Sequence, residues 1–196
     1  HTAIRRQRQM CIRDRVTVGA SEANYILANT LLKEGDEIAV MQPTYKQFSG
    51  AAKNLGVKVN SFSLEAGNNW ALNRQELLDA VNLNTKVISV VNPNNPTGKI
   101  LSKDEMNAVV SIAQKFDAWL LADEVYSGAE RHNVDATQSF FGLYEKVIIV
   151  NGLSKAYGLP GLRIGWVVAP ENIITELWKR HELSLIHISE PTRHLL

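Results

Sequence analysis

The sequence predicts an α/β protein: a three-layer αβα sandwich with a mostly parallel central sheet. Short apolar segments alternate with helix-like segments along most of the chain. Segments such as 86–91 and 118–122 are nearly continuous in apolar residues, which is typical of strands buried on both faces of a parallel sheet. Polar clusters directly follow three of these segments, and in open α/β sheets ligands bind at the carboxyl ends of the strands.

The first half of the chain contains helix and strand patterns in alternation. Residues 21–33 place apolar side chains at helical spacing, with Ser21 as the expected N-cap and Gly35 just past the end. The other elements predicted in this half are helices at 48–55 and 74–81 and strands at 37–41, 57–64 and 86–91.

The second half continues the same alternation. Residues 102–116 form a predicted amphipathic helix, in which Ser102 and Glu105 have the spacing of a capping box. The remaining predicted elements are strands at 118–122, 146–150 and 162–169 and a helix from Glu171 onward. Asn95, Asp123 and Lys155 each follow a predicted strand, so we expect them at the ligand-binding edge of the sheet.

The two ends of the chain differ from its middle. Residues 5–15, RRQRQMCIRDR, and residues 183–193, LSLIHISEPTR, back-translate to the two adapters of transposase-based sequencing libraries, in the two expected orientations. We therefore predict that 1–15 and 183–196 are adapter-derived and that 16–182 is native. A natural basic N-terminal arm is the alternative interpretation of the first segment.

Composition narrows the class of protein. The whole chain has 21 basic and 20 acidic residues, but six basic and two acidic ones lie in the predicted flanks, which leaves 15 against 18 in residues 16–182. This balance gives no indication of nucleic-acid binding. The single cysteine, Cys11, lies in a flank, and no apolar run is long enough to cross a membrane. We predict a cytoplasmic protein with no nucleic-acid or membrane partner.

The most specific motif is NGLSKAYGLPGLRIG at 151–165, in which Lys155 follows a predicted strand and Arg163 comes eight positions later. A lone lysine among glycines is usually a surface residue on a flexible loop. This segment, however, closely resembles the cofactor-lysine signature of fold-type I pyridoxal-phosphate (PLP) enzymes, especially the class I and II aminotransferases. The resemblance implies that Lys155 forms a Schiff base with PLP and later moves a proton. It also implies that Arg163 binds the cofactor phosphate.

A second motif, LADEVY at 121–126, follows another predicted strand. By itself an Asp-Glu pair at a strand end is usually a helix cap or a solvated loop, although a buried acid there needs a partner. The resemblance pairs Asp123 with the protonated pyridine nitrogen of PLP, which keeps the ring an electron sink. It makes Tyr126 a donor to the phenolic oxygen of the ring and assigns Glu124 no catalytic role.

Three further motifs match the same family. NPNNPTG at 92–98 is a turn-rich loop, and the resemblance makes Asn95 a donor to the phenolic oxygen of PLP. GASE at 19–22 opens the first predicted helix, and the resemblance implies that Ala20 and Ser21 bind the phosphate. Helix N-termini commonly bind phosphate groups. Tyr45, in QPTY, matches the aromatic residue that stacks on the pyridine ring.

The sequence departs from the family pattern in two respects. Many relatives carry a hydroxyl residue three positions before the lysine, where this chain has Gly152, so we expect Ser154 to contact the phosphate in its place. The resemblance covers 16–182 but only the middle of a family member. The resemblance does not extend to the small domain, which in the family carries the arginine that binds the substrate carboxylate. We therefore expect the chain as it stands to be inactive.

The resemblance implies a PLP-dependent aminotransferase of amino acid metabolism, without a metal and homodimeric at full length, that transfers the amino group of an α-amino acid to a 2-oxo acid. Lys155, Asp123 and Tyr126 would be its catalytic residues. A β-lyase, decarboxylase or cyclising synthase remains an alternative. These enzymes share the same residues, because binding PLP requires them whatever reaction follows. A third alternative is the PLP-binding sensor domain of a transcription regulator, which a winged-helix segment upstream would favour.

Overall fold

The computed structural model describes residues 14–130 and 137–189, with side chains described up to His181. The strands are β1 (Asp14–Val18), β2 (Glu37–Gln42), β3 (Lys58–Glu65), β4 (Ala71–Leu72), β5 (Thr85–Val91), β6 (Trp119–Asp123), β7 (Val147–Gly152) and β8 (Ile164–Val168). The helices are α1 (Gly19–Leu31), α2 (Gln47–Asn54), α3 (Arg74–Ala80), α4 (Lys103–Lys115) and α5 (Glu171–Ser189), with short 3₁₀ helices at Ala66–Asn68 and Pro160–Leu162.

The strands form one eight-stranded sheet in the order β1-β8-β7-β6-β5-β2-β3-β4. Strands β7, β6, β5, β2 and β3 are parallel to one another, while β8 pairs antiparallel with β7 and β1, and β4 pairs antiparallel with β3. The predicted mostly parallel sheet is therefore confirmed. Asp123 pairs with Val91 on one side and with Val150 on the other, so β5, β6 and β7 end side by side.

Both faces of the sheet are covered by helices, as the continuous apolar strands predict. Successive residues of each central strand point to opposite faces. Leu120 thus packs in the core beneath α3 and α4, whereas Leu121 packs beneath α1, α2 and α5. Ile149 and Ile148 divide between the same two cores in the same way. The predicted αβα sandwich is confirmed.

The helix ends test the predicted caps. At α4 the prediction is confirmed, because the Ser102 hydroxyl accepts from the Glu105 N–H and the Glu105 carboxylate accepts from the Ser102 N–H. At α1 the prediction is wrong, because the helix begins at Gly19 and Val18 is the N-cap. Gly19 has φ +76°, a conformation that glycine adopts without strain, and it turns the chain into the helix, so the N-cap lies three residues before the predicted one.

Two elements extend into the predicted adapter segments. Strand β1 begins at Asp14 and pairs with β8, and α5 continues past Glu182 to Ser189. Residues 1–13 and 190–196 lie outside the described residues. The adapter origin of both flanks therefore stays a prediction. Within the described ranges, no helix combines the length and the apolar composition needed to cross a membrane.

Candidate functional site

A cavity of about 230 Å³ lies at the carboxyl ends of β5, β6 and β7, opposite the N-terminus of α1. All nine residues that the sequence predicts as cofactor-binding or catalytic line it. These residues are Ala20, Ser21, Tyr45, Asn95, Asp123, Tyr126, Ser154, Lys155 and Arg163. The structure thus brings together side chains from five separate segments of the chain, and their individual roles stay predictions.

Six further residues line the cavity without having been predicted. They are Asn24, Gln47, Val91, Val125, Gly152 and Pro160. Only Asn24 carries a signal that sequence reasoning could have used, since a polar residue stands among the buried positions of an otherwise apolar helix face. The Gln47 amide donates to the backbone oxygen of Ser21 and so connects α2 to the first turn of α1.

Asp123 is a buried acidic residue in the lining of the cavity. It is the last residue of β6 and only 8% exposed. Its carboxylate accepts one hydrogen bond from the Asn24 amide and one from the Val125 N–H, both at 3.2 Å. Burial raises the pKa of Asp123 above its ordinary value, while the two hydrogen bonds oppose that rise. A buried carboxylate of this kind suits a partner that brings a positive charge and an N–H group.

The neighbouring Glu124 faces away from the cavity. Its carboxylate accepts from the Ser139 hydroxyl at 3.0 Å and from the Phe140 N–H at 2.8 Å. Burial raises its pKa as well, and the same hydrogen bonds oppose the rise. Glu124 therefore holds the segment around Phe140 against the sheet, which agrees with its having no predicted catalytic role.

One wall of the cavity consists of polar side chains in contact with each other. The Asn95 amide donates to the Tyr126 hydroxyl at 3.4 Å, and the Lys155 ammonium lies 5.7 Å from the centre of the Tyr126 ring. Asn94 shapes the loop behind this wall, since its amide donates to Pro43 and its oxygen accepts from Thr97. Asn95 thus reaches the cavity, while Asn94 holds the loop.

Three glycines let α1, β7 and β8 meet at the other end of the cavity. A Cβ on Gly165 would stand 2.5 Å from the Ala20 nitrogen, and one on Gly152 would stand 2.9 Å from the Ile164 oxygen. A Cβ on Gly19 would stand 2.7 Å from the Arg163 guanidinium. This packing explains the departure at position 152, because no hydroxyl side chain fits there.

The Arg163 guanidinium therefore lies directly beside the N-terminus of α1. It is oriented by a hydrogen bond from Nη1 to the Pro160 oxygen at 3.1 Å, and its backbone has φ +51°. The first N–H groups of a helix have no partner within the helix and attract anions. Arginine and helix end together bring anion-attracting groups to the lining of the cavity.

The outer side chains of the cavity are open to solvent. Lys155 and Arg163 are exposed, Tyr45 is 55% exposed, and Ser154 is half-buried. The cavity thus combines anion-binding groups, a buried carboxylate and a primary amine in one lining. These groups fit the phosphate, the ring nitrogen and the aldehyde of PLP.

Comparisons with known proteins identify the family of the chain. The family profile described as "Aminotransferase class I and II" matches residues 13–196. Aspartate aminotransferase from Musicola paradisiaca (strain Ech703) is 32% identical over 174 residues, which are 87% of this chain and 43% of that protein. Kynurenine–oxoglutarate transaminase 1 from Mus musculus is 29% identical over 184 residues, 88% of this chain and 43% of that protein.

Solved structures give the same result. A PLP-dependent aminotransferase from Streptococcus suis 89-1591 superposes with a TM-score of 0.81 at 34% identity, covering 89% of this chain and 46% of that one. A double mutant of aspartate aminotransferase from Thermus thermophilus superposes with a TM-score of 0.83 at 26% identity, covering 89% and 45%. The chain thus spans less than half the length of these relatives, and it belongs to the class I and II aminotransferase family of fold-type I PLP enzymes.

Proposed function

We propose that the full-length protein is a PLP-dependent aminotransferase that transfers the amino group of an α-amino acid to a 2-oxo acid, and that this chain contains its cofactor site. The observation that carries the proposal is the gathering of Lys155, Asp123 and Arg163 around one cavity. Amino transfer is favoured over the other PLP reactions because the similar proteins are named aspartate aminotransferase, kynurenine–oxoglutarate transaminase and glutamate–pyruvate aminotransferase.

When bound, PLP supplies a ring that withdraws electrons from the carbon bearing the substrate amino group. Asp123 supports this chemistry by accepting the N–H of the ring nitrogen and stabilising its positive charge. The buried position of Asp123 strengthens that ion pair, because the surrounding dielectric constant is low. The hydrogen bonds from Asn24 and Val125 fix the orientation of this carboxylate without any contribution from another part of the protein.

The other residues orient the cofactor and hold its phosphate. Arg163 and the N–H groups of Ala20 and Ser21 bind the phosphate through charge-assisted hydrogen bonds. Asn95 and Tyr126 donate to the phenolic oxygen of the ring. Tyr45 covers one face of the ring, a position that suits its half-exposed aromatic side chain. Ser154 contacts the phosphate from the loop after β7.

Lys155 is the attachment point for PLP and the base that moves the proton. Once substrate had displaced it, the free amine of Lys155 would serve as the base that takes the proton from the substrate Cα and holds it for return. A catalytic lysine needs a partly desolvated setting so that its amine is neutral at working pH. In this chain Lys155 is exposed. The homodimer proposed for the full-length protein, together with its small domain, would cover it.

The test of the cofactor site is borohydride reduction of the purified chain after addition of PLP, followed by peptide mass mapping. We expect a pyridoxyl adduct on Lys155 that Lys155→Ala abolishes. The control is Lys179→Ala, which removes an exposed lysine of α5 and should leave the adduct on Lys155 unchanged. An adduct spread evenly over surface lysines, in a chain shown to be folded by circular dichroism, would contradict the assignment.

The test of the reaction type uses the full-length protein from the uninterrupted gene. Amino transfer yields one 2-oxo acid for each amino acid consumed and releases neither ammonia nor carbon dioxide. A β-lyase releases ammonia, and a decarboxylase releases carbon dioxide. Measuring these products with a panel of amino acids and 2-oxo acids therefore separates the proposed aminotransferase from the other reactions of the scaffold.

A further inference from the structure

Asn24 is a polar residue on the buried face of α1. Its neighbours on that face are apolar, namely Ala23, Ile26, Leu27 and Ala28, and Asn24 itself is only 3% exposed. Asparagine has a low helix propensity, because its side chain competes for backbone hydrogen bonds. An apolar residue at this position would satisfy the helix and the core better, which indicates that Asn24 has a task other than packing.

The contacts of Asn24 point to the cavity. Its amide nitrogen donates to Asp123 Oδ2 at 3.2 Å, across 99 positions of sequence. Among the residues that the structure describes, no donor is within hydrogen-bond distance of Asn24 Oδ1, although that atom is buried. Asn24 also lines the cavity. The amide nitrogen of Asn24 therefore binds Asp123, while its amide oxygen is a buried acceptor without a donor in the described part of the chain. Such an acceptor lowers the stability of the fold, which indicates a role in the site.

We propose that Asn24 is a positioning residue for Asp123: its amide orients the buried carboxylate toward the cavity and favours the ionised form. This inference rests on the proposed function, in which the ionised carboxylate receives the ring nitrogen of PLP. Asn24 belongs to the helix whose first turn holds the phosphate in that function. A single helix thus aligns both ends of the cofactor, through Ala20 and Ser21 at one end and Asn24 at the other.

The unpartnered oxygen extends this role to the protonated form of Asp123. A half-turn of the amide exchanges Nδ2 and Oδ1, so the same side chain can accept from a protonated carboxyl. Burial without the cofactor raises the pKa of Asp123, which favours that form. Asn24 is therefore able to hold Asp123 in one orientation both before and after the cofactor brings its positive charge.

Few other groups face Asp123. The direct partners of its carboxylate are Asn24, from α1, and the Val125 N–H. Glu124 is adjacent in sequence, but its carboxylate is turned toward Ser139 and Phe140. The charged or titratable side chains that line the same cavity are Tyr45, Tyr126, Lys155 and Arg163. Asn24 provides the only side-chain hydrogen bond to Asp123 among the described residues.

The test measures the titration of Asp123 in the chain without PLP. The carboxyl carbon is observed by NMR after labelling aspartate with ¹³C, and the Asp123 signal is the one missing from Asp123→Asn. Asn24→Leu removes the amide with little change in volume. We expect Asp123 to titrate about one pH unit higher in this variant, a tenfold change in proton affinity. The charge-assisted bond that Asn24 donates to the ionised form is stronger than the bond it can accept from the protonated form, so its loss costs the ionised form more.

A second variant keeps the proposal testable if Asn24→Leu does not fold. Asn24→Asp has the same shape, and the two carboxyl groups then share a proton, so the pair should stay protonated to a still higher pH. The matched control is Asn29→Leu, because Asn29 lies on the same helix and its amide bonds only the Tyr25 carbonyl at the surface. We expect no change in the titration of Asp123 in this control.

The same variants are then titrated with PLP at pH 7.5, with tryptophan fluorescence as the readout. We expect affinity to fall about tenfold in Asn24→Leu, in line with the change in proton affinity. An unchanged Asp123 titration in every folded Asn24 variant would overturn the inference, even if the variants were less stable. Failure of PLP to label Lys155 in the unaltered chain would instead count against the proposed function and leave the NMR comparison intact.

Discussion

The floor and the rim of the cavity are built in opposite ways. The floor consists of Asn24, Asp123 and Gly152, all buried, with the carboxylate held by hydrogen bonds inside the chain. The rim consists of Tyr45, Lys155 and Arg163, all exposed. Asp123 is 8% exposed and Tyr45 is 55% exposed, although both line the same cavity.

The difference separates what this chain builds alone from what other parts of the protein complete. Asp123 and Gly152 end two strands of the sheet and Asn24 lies on the buried face of α1, so the floor forms whenever the chain folds. The rim makes few contacts within the chain, so its conformation depends on whatever covers it. Changes in the floor should therefore act on folding, whereas changes in the rim should act on binding and leave the free energy of unfolding almost unaltered.

The largest effect is expected where α1 touches β8. In Gly165→Ala the added Cβ would lie 2.5 Å from the Ala20 nitrogen, and backbone atoms cannot move aside as a flexible side chain can. We expect the free energy of unfolding to fall by about 3 kcal/mol, measured by urea denaturation and circular dichroism. Gly161→Ala is the control, because nothing lies within 4 Å of its added Cβ. Equal stability of the two variants would mean that α1 does not contact β8 this closely.

A second effect has opposite signs for stability and for binding. Asp123→Asn removes a buried charge, so we expect the chain without cofactor to become more stable by about 1 kcal/mol, as often happens when a functional residue is replaced. PLP affinity should fall about a hundredfold, because the ring nitrogen loses its ionic partner. Thermal unfolding and fluorescence titration measure the two changes. If both the stability and the PLP affinity fell, the role of Asp123 would be to stabilise the fold.

The stability part of this prediction depends on pH in a defined direction. Burial raises the folded-state pKa of Asp123 above 3.8, its ordinary value. Between these two values the folded chain binds a proton that the unfolded chain has lost, so stability falls as pH rises. The advantage of Asp123→Asn should be absent below pH 3.8 and grow above it. An advantage that does not vary with pH would exclude ionisation as its cause.

Much of the fold was predictable because the central strands are continuous in apolar residues and the helices are periodic. The capping box at Ser102 and Glu105 was also readable, since all of its atoms come from four neighbouring residues. Strands β1 and β4 were missed, because β1 alternates in burial and overlaps the predicted flank and β4 has only two residues. The start of α1 was missed because it depends on the positive φ of Gly19.

The site shows the same limit. The motifs identified nine residues through a family resemblance, and the structure gathers all nine around one cavity. Asn24 was not predicted. Its polar side chain on an apolar helix face was a local signal, but its contact with Asp123 joins residues 99 positions apart. The glycine at position 152 was read as a missing hydroxyl, whereas the structure shows that the β8 backbone leaves no room for one. Local motifs predicted which residues gather at the cavity, whereas close packing between distant segments was not predictable.

The rim is probed by a third change, which should affect binding alone. Arg163 has φ +51°, a conformation that glycine adopts freely, so Arg163→Gly should leave the free energy of unfolding within about 0.5 kcal/mol. Affinity for PLP should fall by about tenfold or more, because charge-assisted hydrogen bonds to the phosphate are lost. Pyridoxal, which has no phosphate, serves as the matched ligand and should bind both forms equally. A similar loss for pyridoxal would place Arg163 away from the phosphate.

The smallest effect is expected at Tyr45, where a substitution can be compared with the Arg163 substitution on the same rim. Tyr45→Leu keeps an apolar side chain but removes the ring, and because Tyr45 is 55% exposed the stability should stay within about 0.5 kcal/mol. Stacking adds about 0.5–1.5 kcal/mol beyond buried area, which corresponds to a few-fold loss of affinity. Since stacking acts on the ring, PLP and pyridoxal should weaken by the same factor, in contrast to Arg163→Gly. Fluorescence titration of both ligands with both variants gives the four affinities, and a loss confined to PLP would move Tyr45 from the ring to the phosphate.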